Sequence, residues 1–235
     1  LLPYIDIILF DPRGCGKSSP SEAKYCHLDY YIEDIEAIRQ YFQLSPDRLI
    51  IFGQSYGSIA ATGYAIKYQQ HLKKLFLIGA VASGDFLKEA LDELAIIGTD
   101  AQKQYIDIIW NGKFSADPQE ISNYYDIMGP LYSSTFKSGG TAPALTYNID
   151  VMNYGFNNFL KYFDFRNSLS AIRCPTLILW GENEWLINKK QVMSVHNAIK
   201  NSRLITYKNC SHLLWIDKWQ RFLCDAREFL IKEEE

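Results

Sequence analysis

Arg48-Leu49-Ile50-Ile51-Phe52-Gly53-Gln54-Ser55-Tyr56-Gly57-Ser58-Ile59-Ala60-Ala61 is the stretch that decides the architecture. Its first half is a short apolar, β-branched run that reads as a buried strand. Its second half opens a helix of small residues that continues to Gln69. Between them, Gly53-Gln54-Ser55-Tyr56-Gly57 turns the chain. A serine in so sharp a turn takes a strained backbone geometry, so the residues two before and two after it have to be nearly free of side chains. The turn presents the hydroxyl at the positive end of a helix, with the Tyr56 N–H aimed at any oxyanion that develops there. With glycine near 7% of residues, Gly-x-Ser-x-Gly arises by chance in roughly one chain of this length in ten. Its place between a strand and a helix is what gives it weight.

Outward from this turn the same alternation repeats. Ile5–Phe10 is a β-branched run ended by a turn-rich segment, and reads as a buried strand with its exit loop. Residues 29–42 carry Tyr31, Ile35, Ile38 and Phe42 at helical spacing. Leu75–Gly79 reads as a further strand. After about Gly84 the pattern stops, and the chain to about Arg166 is rich in Tyr, Asn and Ser, weakly helical and without strand signals. It resumes with a strand at Pro175–Trp180, a helix at Lys189–Lys200, a strand at Arg203–Tyr207 and a final helix at Trp215–Lys232, before a solvated Lys232–Glu235 tail. Strand–helix–strand alternation predicts an α/β fold with a mostly parallel sheet and helices on both faces. The expected division is a core formed by 1–84 and 167–235, interrupted by a mainly helical cap insertion at 85–166.

The bulk properties narrow the function classes. The 235 residues are 48% hydrophobic and 22% charged, ordinary for a globular chain of one domain with an insertion. The net charge of −3 argues against a nucleic-acid partner or an anionic membrane surface. No apolar run approaches the roughly 20 residues that span a bilayer. The five cysteines are odd in number and scattered, which predicts reduced thiols and a cytoplasmic location. No His/Asp/Glu cluster has metal-ligand spacing, so neither a metal nor an organic cofactor is expected.

A serine hydroxyl needs a base at neutral pH, and the base needs an orienting carboxylate. In hydrolases built on this plan the chain order is nucleophile, acid, histidine, each on a loop after a strand. Gly181-Glu182-Asn183-Glu184 follows one predicted strand, and Asn209-Cys210-Ser211-His212 follows the next. The candidate triad is therefore Ser55, Glu184 and His212, with Tyr56 as an oxyanion donor and Gly53, Gln54 and Gly57 as the elbow. The alternatives for the acid are its neighbour Glu182 and a carboxylate from the end of the previous strand region. His27, His71 and His196 lack such a setting and read as solvated or capping residues.

Several segments together resemble the proline iminopeptidases of the α/β-hydrolase superfamily. They are Asp11-Pro12-Arg13-Gly14-Cys15-Gly16-Lys17-Ser18, Asp34-Ile35-Glu36-Ala37-Ile38-Arg39, the elbow and its helix, Cys174-Pro175-Thr176-Leu177-Ile178, and Asn209-Cys210-Ser211-His212. The resemblance implies a serine aminopeptidase that releases N-terminal proline or a small apolar residue from short peptides. Three departures stand out. Glu184 replaces the family's aspartate. Asn158 falls where a cap glutamate holds the substrate's amino group, leaving Asp117, Glu120, Asp126 and Asp150 as unranked substitutes. The family's first strands, with the Gly-rich loop that supplies a second oxyanion donor, have no counterpart in this chain. In that fold a strand lies between the one expected at Asp6–Phe10 and the one at Arg48–Gly53. We therefore expect that segment to exist elsewhere, outside the given sequence, cleaved but retained, or on another chain, rather than direct pairing of these two strands.

Three other readings of these residues are open. Gly14-Cys15-Gly16-Lys17-Ser18 ends like a phosphate-binding loop, but position 11 is Asp11 where a glycine is required, and Pro12 removes an amide donor. An esterase or amidase of the same fold shares the elbow chemistry and differs in its cap. A non-catalytic binding protein would have no reason to keep serine, acid and base in order.

Overall fold

The computed structural model describes residues 5–137 and 148–231; the tail at 232–235 lies outside them. Four strands, β1 (Ile50–Gln54), β2 (Lys74–Ile78), β3 (Thr176–Gly181) and β4 (Ser202–Tyr207), form one parallel sheet in sequence order. A parallel strand covered on both faces is apolar along its length rather than alternating, as the two central strands are. β2 and β3 are buried along their whole length.

The two faces are nonetheless distinct. Leu75, Leu77, Ile178 and Trp180 point into a large core shared with α1 (Leu28–Tyr41), α2 (Tyr56–Lys67) and α7 (Lys189–Ala198). Phe76, Ile78, Leu177 and Leu179 point the other way, onto Leu214, Phe222, Ala226 and Phe229 of α8 (Leu214–Asp217) and α9 (Trp219–Ile231). The small residues of α2 let it approach closely: a Cβ on Gly63 would strike Ile32 of α1. Between β2 and β3 the described residues hold α3 (Phe86–Ile97), α4 (Asp100–Trp110), α5 (Pro118–Tyr132) and α6 (Ile149–Asn157), with no named strand among them.

Two expectations are corrected. Ile5–Phe10 is neither buried nor a strand: it carries no ladder, and Leu9 is 90% exposed. The run has strand composition but, among the described residues, no neighbouring strand to pair with. Among the described residues β1 pairs with β2 on one side only, and a cavity of about 520 Å³ lies between its free edge and the Ile5–Phe10 segment. Direct pairing of these two segments is thus not what the structure shows. The final helix, expected to be continuous, breaks at Lys218, whose backbone (φ −139°, ψ 54°) leaves the helical region.

The resemblance motif in α1 is an anchor. Arg13 donates to both oxygens of Asp34, which fastens the Asp11–Ser18 loop to α1. Glu36, 5% exposed, accepts from Arg39 at 2.8 and 2.9 Å, from Gln40 at 3.0 Å and from the Tyr64 hydroxyl of α2 at 2.8 Å. The Arg39 hydrogen bonds, with help from Gln40 and Tyr64, outweigh burial and hold its carboxyl at about 2. A carboxyl depressed in the folded state contributes stability above its unfolded value near 4.5, and that contribution is lost as pH falls toward 2. Glu36→Gln is expected to cost about 2–3 kcal/mol at pH 7 by urea denaturation, with the difference from wild type narrowing below pH 4.

Candidate active site

Ser55 sits at the junction of β1 and α2 with φ 53° and ψ −123°, a left-handed backbone that a non-glycine residue rarely adopts. The strain is held by hydrogen bonds on both sides. The Ser55 N–H donates to Ile78 O at 3.0 Å, and the Ser55 carbonyl accepts from the Ser58 N–H and hydroxyl at 2.8 and 2.7 Å. A Cβ on Gly53 would collide with the Gly57 carbonyl, so the glycine before the serine is sterically required. Gly57 corrects the sequence reading: a Cβ there meets no described atom within 4 Å, because the residue opens on the cavity beside β1. Gly53→Ala is expected to cost about 2 kcal/mol or more in urea denaturation, through backbone displacement. Gly57→Ala, in the first turn of α2, should be neutral or stabilising by up to about 1 kcal/mol.

Glu184 and His212 meet as the chain order requires. His212 Nδ1 lies 2.6 Å from Glu184 Oε2, and the two residues are 5% and 7% exposed. The other Glu184 oxygen accepts from the Leu186 N–H at 3.0 Å. Glu182 is exposed, and its N–H donates to Tyr207 O at the end of β4. The two loops are stitched together by the Asn183 N–H to Cys210 O at 2.8 Å. Gln54 joins them to the elbow, donating to His212 O at 3.5 Å and accepting from Trp215 Nε1 at 2.8 Å. No hydrogen bond between Ser55 Oγ and His212 is made among the described residues. Such bonds are often long before substrate binds.

Above the pair, the Tyr132 ring lies edge-on to His212, with centroids 5.5 Å apart, and edge-on to Trp185 at 5.7 Å. Burial, then the charge of Glu184, raises the Tyr132 phenol to about 12 despite a 2.6 Å hydrogen bond with Tyr124, so it is neutral near His212. Tyr132 carries no signal in the sequence, because its contact with His212 joins residues far apart in the chain. Tyr56 packs its ring between Tyr31 and Phe159, at 5.4 and 6.0 Å. Its buried hydroxyl has no partner among the described residues.

The remaining candidates are dispersed. Asn158 donates to Tyr154 O at the end of α6, so its side chain serves the helix terminus. Asp117 caps α5, while Asp126 and Asp150 are exposed and Glu120 is near the Tyr105 hydroxyl at 3.4 Å. His27 caps α1, His71 lies 3.3 Å from Glu36, and His196 pairs with Ser202 at 2.7 Å. The loop that ends like a phosphate cradle is closed on itself: Asp11 accepts from the Lys17 N–H at 2.8 Å, taking an amide a phosphate would need. Among the described residues no three His, Cys, Asp or Glu side chains converge as metal ligands.

A parallel sheet, a strained serine between β1 and α2, and a carboxylate–histidine pair on the loops after β3 and β4 define one class. The chain belongs to the alpha/beta hydrolase fold family, whose sequence profile matches residues 5–218. It is similar to the proline iminopeptidase of Thermoplasma volcanium, 30% identical across 91% of this chain and 76% of the relative. It is also similar to proline iminopeptidase PfmaB of Pestalotiopsis fici, at 28% identity over 90% and 76%. Among solved structures, an alpha/beta fold family hydrolase from Bacillus anthracis superposes with a TM-score of 0.76 at 21% identity, over 92% of this chain and 80% of that one. The esterase EaEST from Exiguobacterium antarcticum gives 0.67 at 20%, over 93% and 79%. At these identities the solved structures speak for the fold alone.

Proposed function

We propose that this hydrolase works through an acyl-enzyme on Ser55 and releases N-terminal proline or a small apolar residue from short peptides. The buried Glu184–His212 pair beside a strained serine carries the reading. Ser55 Oγ attacks the carbonyl carbon, and its proton passes to His212 Nε2. Glu184, bound to Nδ1, fixes that tautomer and stabilises the imidazolium. The Tyr56 N–H stabilises the oxyanion. His212 then protonates the leaving amine, and water, deprotonated by the same imidazole, releases the acid.

The peptidase specificity is supported by the named relatives and by the motifs in the loop at 11–18 and in α1. It is tested with prolyl-p-nitroanilide, its N-acetyl counterpart and p-nitrophenyl acetate. The proposal expects at least ~100-fold preference for the free amine. Equal rates on blocked and free substrates would instead favour an esterase or amidase, a reading that the helix-terminal role of Asn158 supports.

We propose also that the free edge of β1 is filled by an extended strand that precedes this chain in the full protein or comes from another chain. Ile50 and Phe52 turn their backbone groups away from β2, and Phe52 is 52% exposed, an unusual state for a parallel strand. Slow hydrogen exchange at these two amides in protein purified from its natural source is expected; exchange at the rate of an open edge would sink the idea.

A further inference from the structure

α5 ends at Tyr132, and the next three residues close around one carboxylate, that of Asp217 in α8. Ser133 Oγ donates to Asp217 Oδ1 at 2.6 Å, and the Thr135 N–H and hydroxyl donate to it at 3.3 and 3.2 Å. The Ser134 N–H donates to Oδ2 at 3.2 Å. The same Oδ2 accepts from the Ser211 N–H at 3.1 Å, one residue before His212. Burial opposes the charge, but the donors from Ser133, Ser211, Ser134 and Thr135 prevail and hold the Asp217 carboxyl below its usual range.

This carboxylate stands at the centre of a wider seam. The Leu213 N–H donates to Tyr132 O at 2.8 Å, Ser134 Oγ to Asn209 O at 3.2 Å, and Ser211 Oγ to Leu131 O. Residues 131–135 and 209–213 are thus fastened on both sides of His212, with the Tyr132 ring against its imidazole. On its other side α8 reaches the elbow through Trp215 and Gln54. A loop that must present Nε2 to Ser55 within a fraction of an ångström is therefore held by a carboxylate that touches neither residue.

We propose that Asp217 is a positioning residue that locks the exit of the helical insertion to the His212 loop, so that the insertion's seating sets the imidazole's placement. The inference rests on the reading of His212 as the general base. Its signature is a defect in chemistry that a merely structural role would not give, since about 1 Å of misplacement costs about 100-fold. Asp217→Ala is expected to lower kcat on p-nitrophenyl acetate by about 30–100-fold with KM within 2-fold, and to slow fluorophosphonate reaction at Ser55 in proportion. Asp217→Asn, which keeps the shape but turns an amide toward donors, should fall between. Ser133→Ala, which keeps the carboxylate and removes one donor, should give a smaller loss in the same direction and covers the case in which Asp217→Ala fails to fold. Hydrogen exchange supplies a readout independent of turnover: the Asp217 variants should accelerate the 209–213 and 131–135 segments together. A lowered Tm with unchanged kcat, unchanged Ser55 reactivity and unchanged exchange at 209–213 would overturn the proposal. A wild-type protein unreactive toward the probe would instead overturn the reading of the triad, while the exchange comparison still decides the coupling.

Discussion

Ser55→Ala is expected to reduce kcat by about 10⁵–10⁶-fold on any substrate the protein turns over, with His212→Ala close to it. The two should not be additive: once the nucleophile is gone, the base has no proton to take, so the double variant should match either single one. The left-handed backbone at Ser55 makes a further distinction possible. Alanine suffers the same strain as serine there and loses no hydrogen bond that the structure shows from Oγ, so Ser55→Ala should fold normally. Steady-state assays on variants whose Tm stays within a few degrees of wild type separate lost chemistry from lost folding. A Ser55→Ala variant retaining more than about 1% of wild-type turnover would exclude the acyl-enzyme.

Glu184→Gln is expected to cost about 100-fold to 10⁴-fold in kcat. The physical reason is tautomeric. The carboxylate accepts the Nδ1 proton at 2.6 Å, which leaves Nε2 as the base. A glutamine can turn its NH₂ toward Nδ1, which then has to accept, placing the proton on the wrong nitrogen. The Leu186 N–H can still be satisfied by the amide oxygen, so folding should be largely retained. Glu182→Gln is the control: its side chain is exposed and should leave kcat within 2-fold of wild type. The reverse outcome, with Glu182 sensitive and Glu184 tolerant, would place the acid on the neighbouring residue.

What the sequence disclosed follows from how local each feature is. The strand at Ile50–Gln54 and the helix after it are fixed by short-range composition and by the glycine at 53, and the elbow could be read directly. Glu184 and His212 could be singled out because each sits on a short loop after a strand, and the structure brings their side chains to 2.6 Å. Ile5–Phe10 shows where this reasoning stops: a β-branched run becomes a strand only if another strand is beside it, and the neighbour is not encoded in the run. Gly57 was over-read in the same way, since its freedom from side-chain contact depends on what occupies the space beside β1. The break between α8 and α9 was invisible, because the apolar pattern continues through Lys218. Asp217 was passed over because an aspartate on a terminal helix reads as solvated until the chain at 133–135 closes over it. That Tyr132 rests on the imidazole is likewise a contact between residues far apart in the chain, which the local pattern of its helix does not encode.

The most direct test of the account is reaction of the purified chain with a fluorophosphonate, with the adduct located by peptide mass. A single adduct on Ser55 is expected, abolished in His212→Ala and slowed in Glu184→Gln. With Tyr56 as the oxyanion donor supplied by this chain, the reaction should be measurable, and about 10²–10³-fold faster when a second donor is present. A folded sample with no adduct on Ser55, or an adduct whose rate is indifferent to His212, would contradict it.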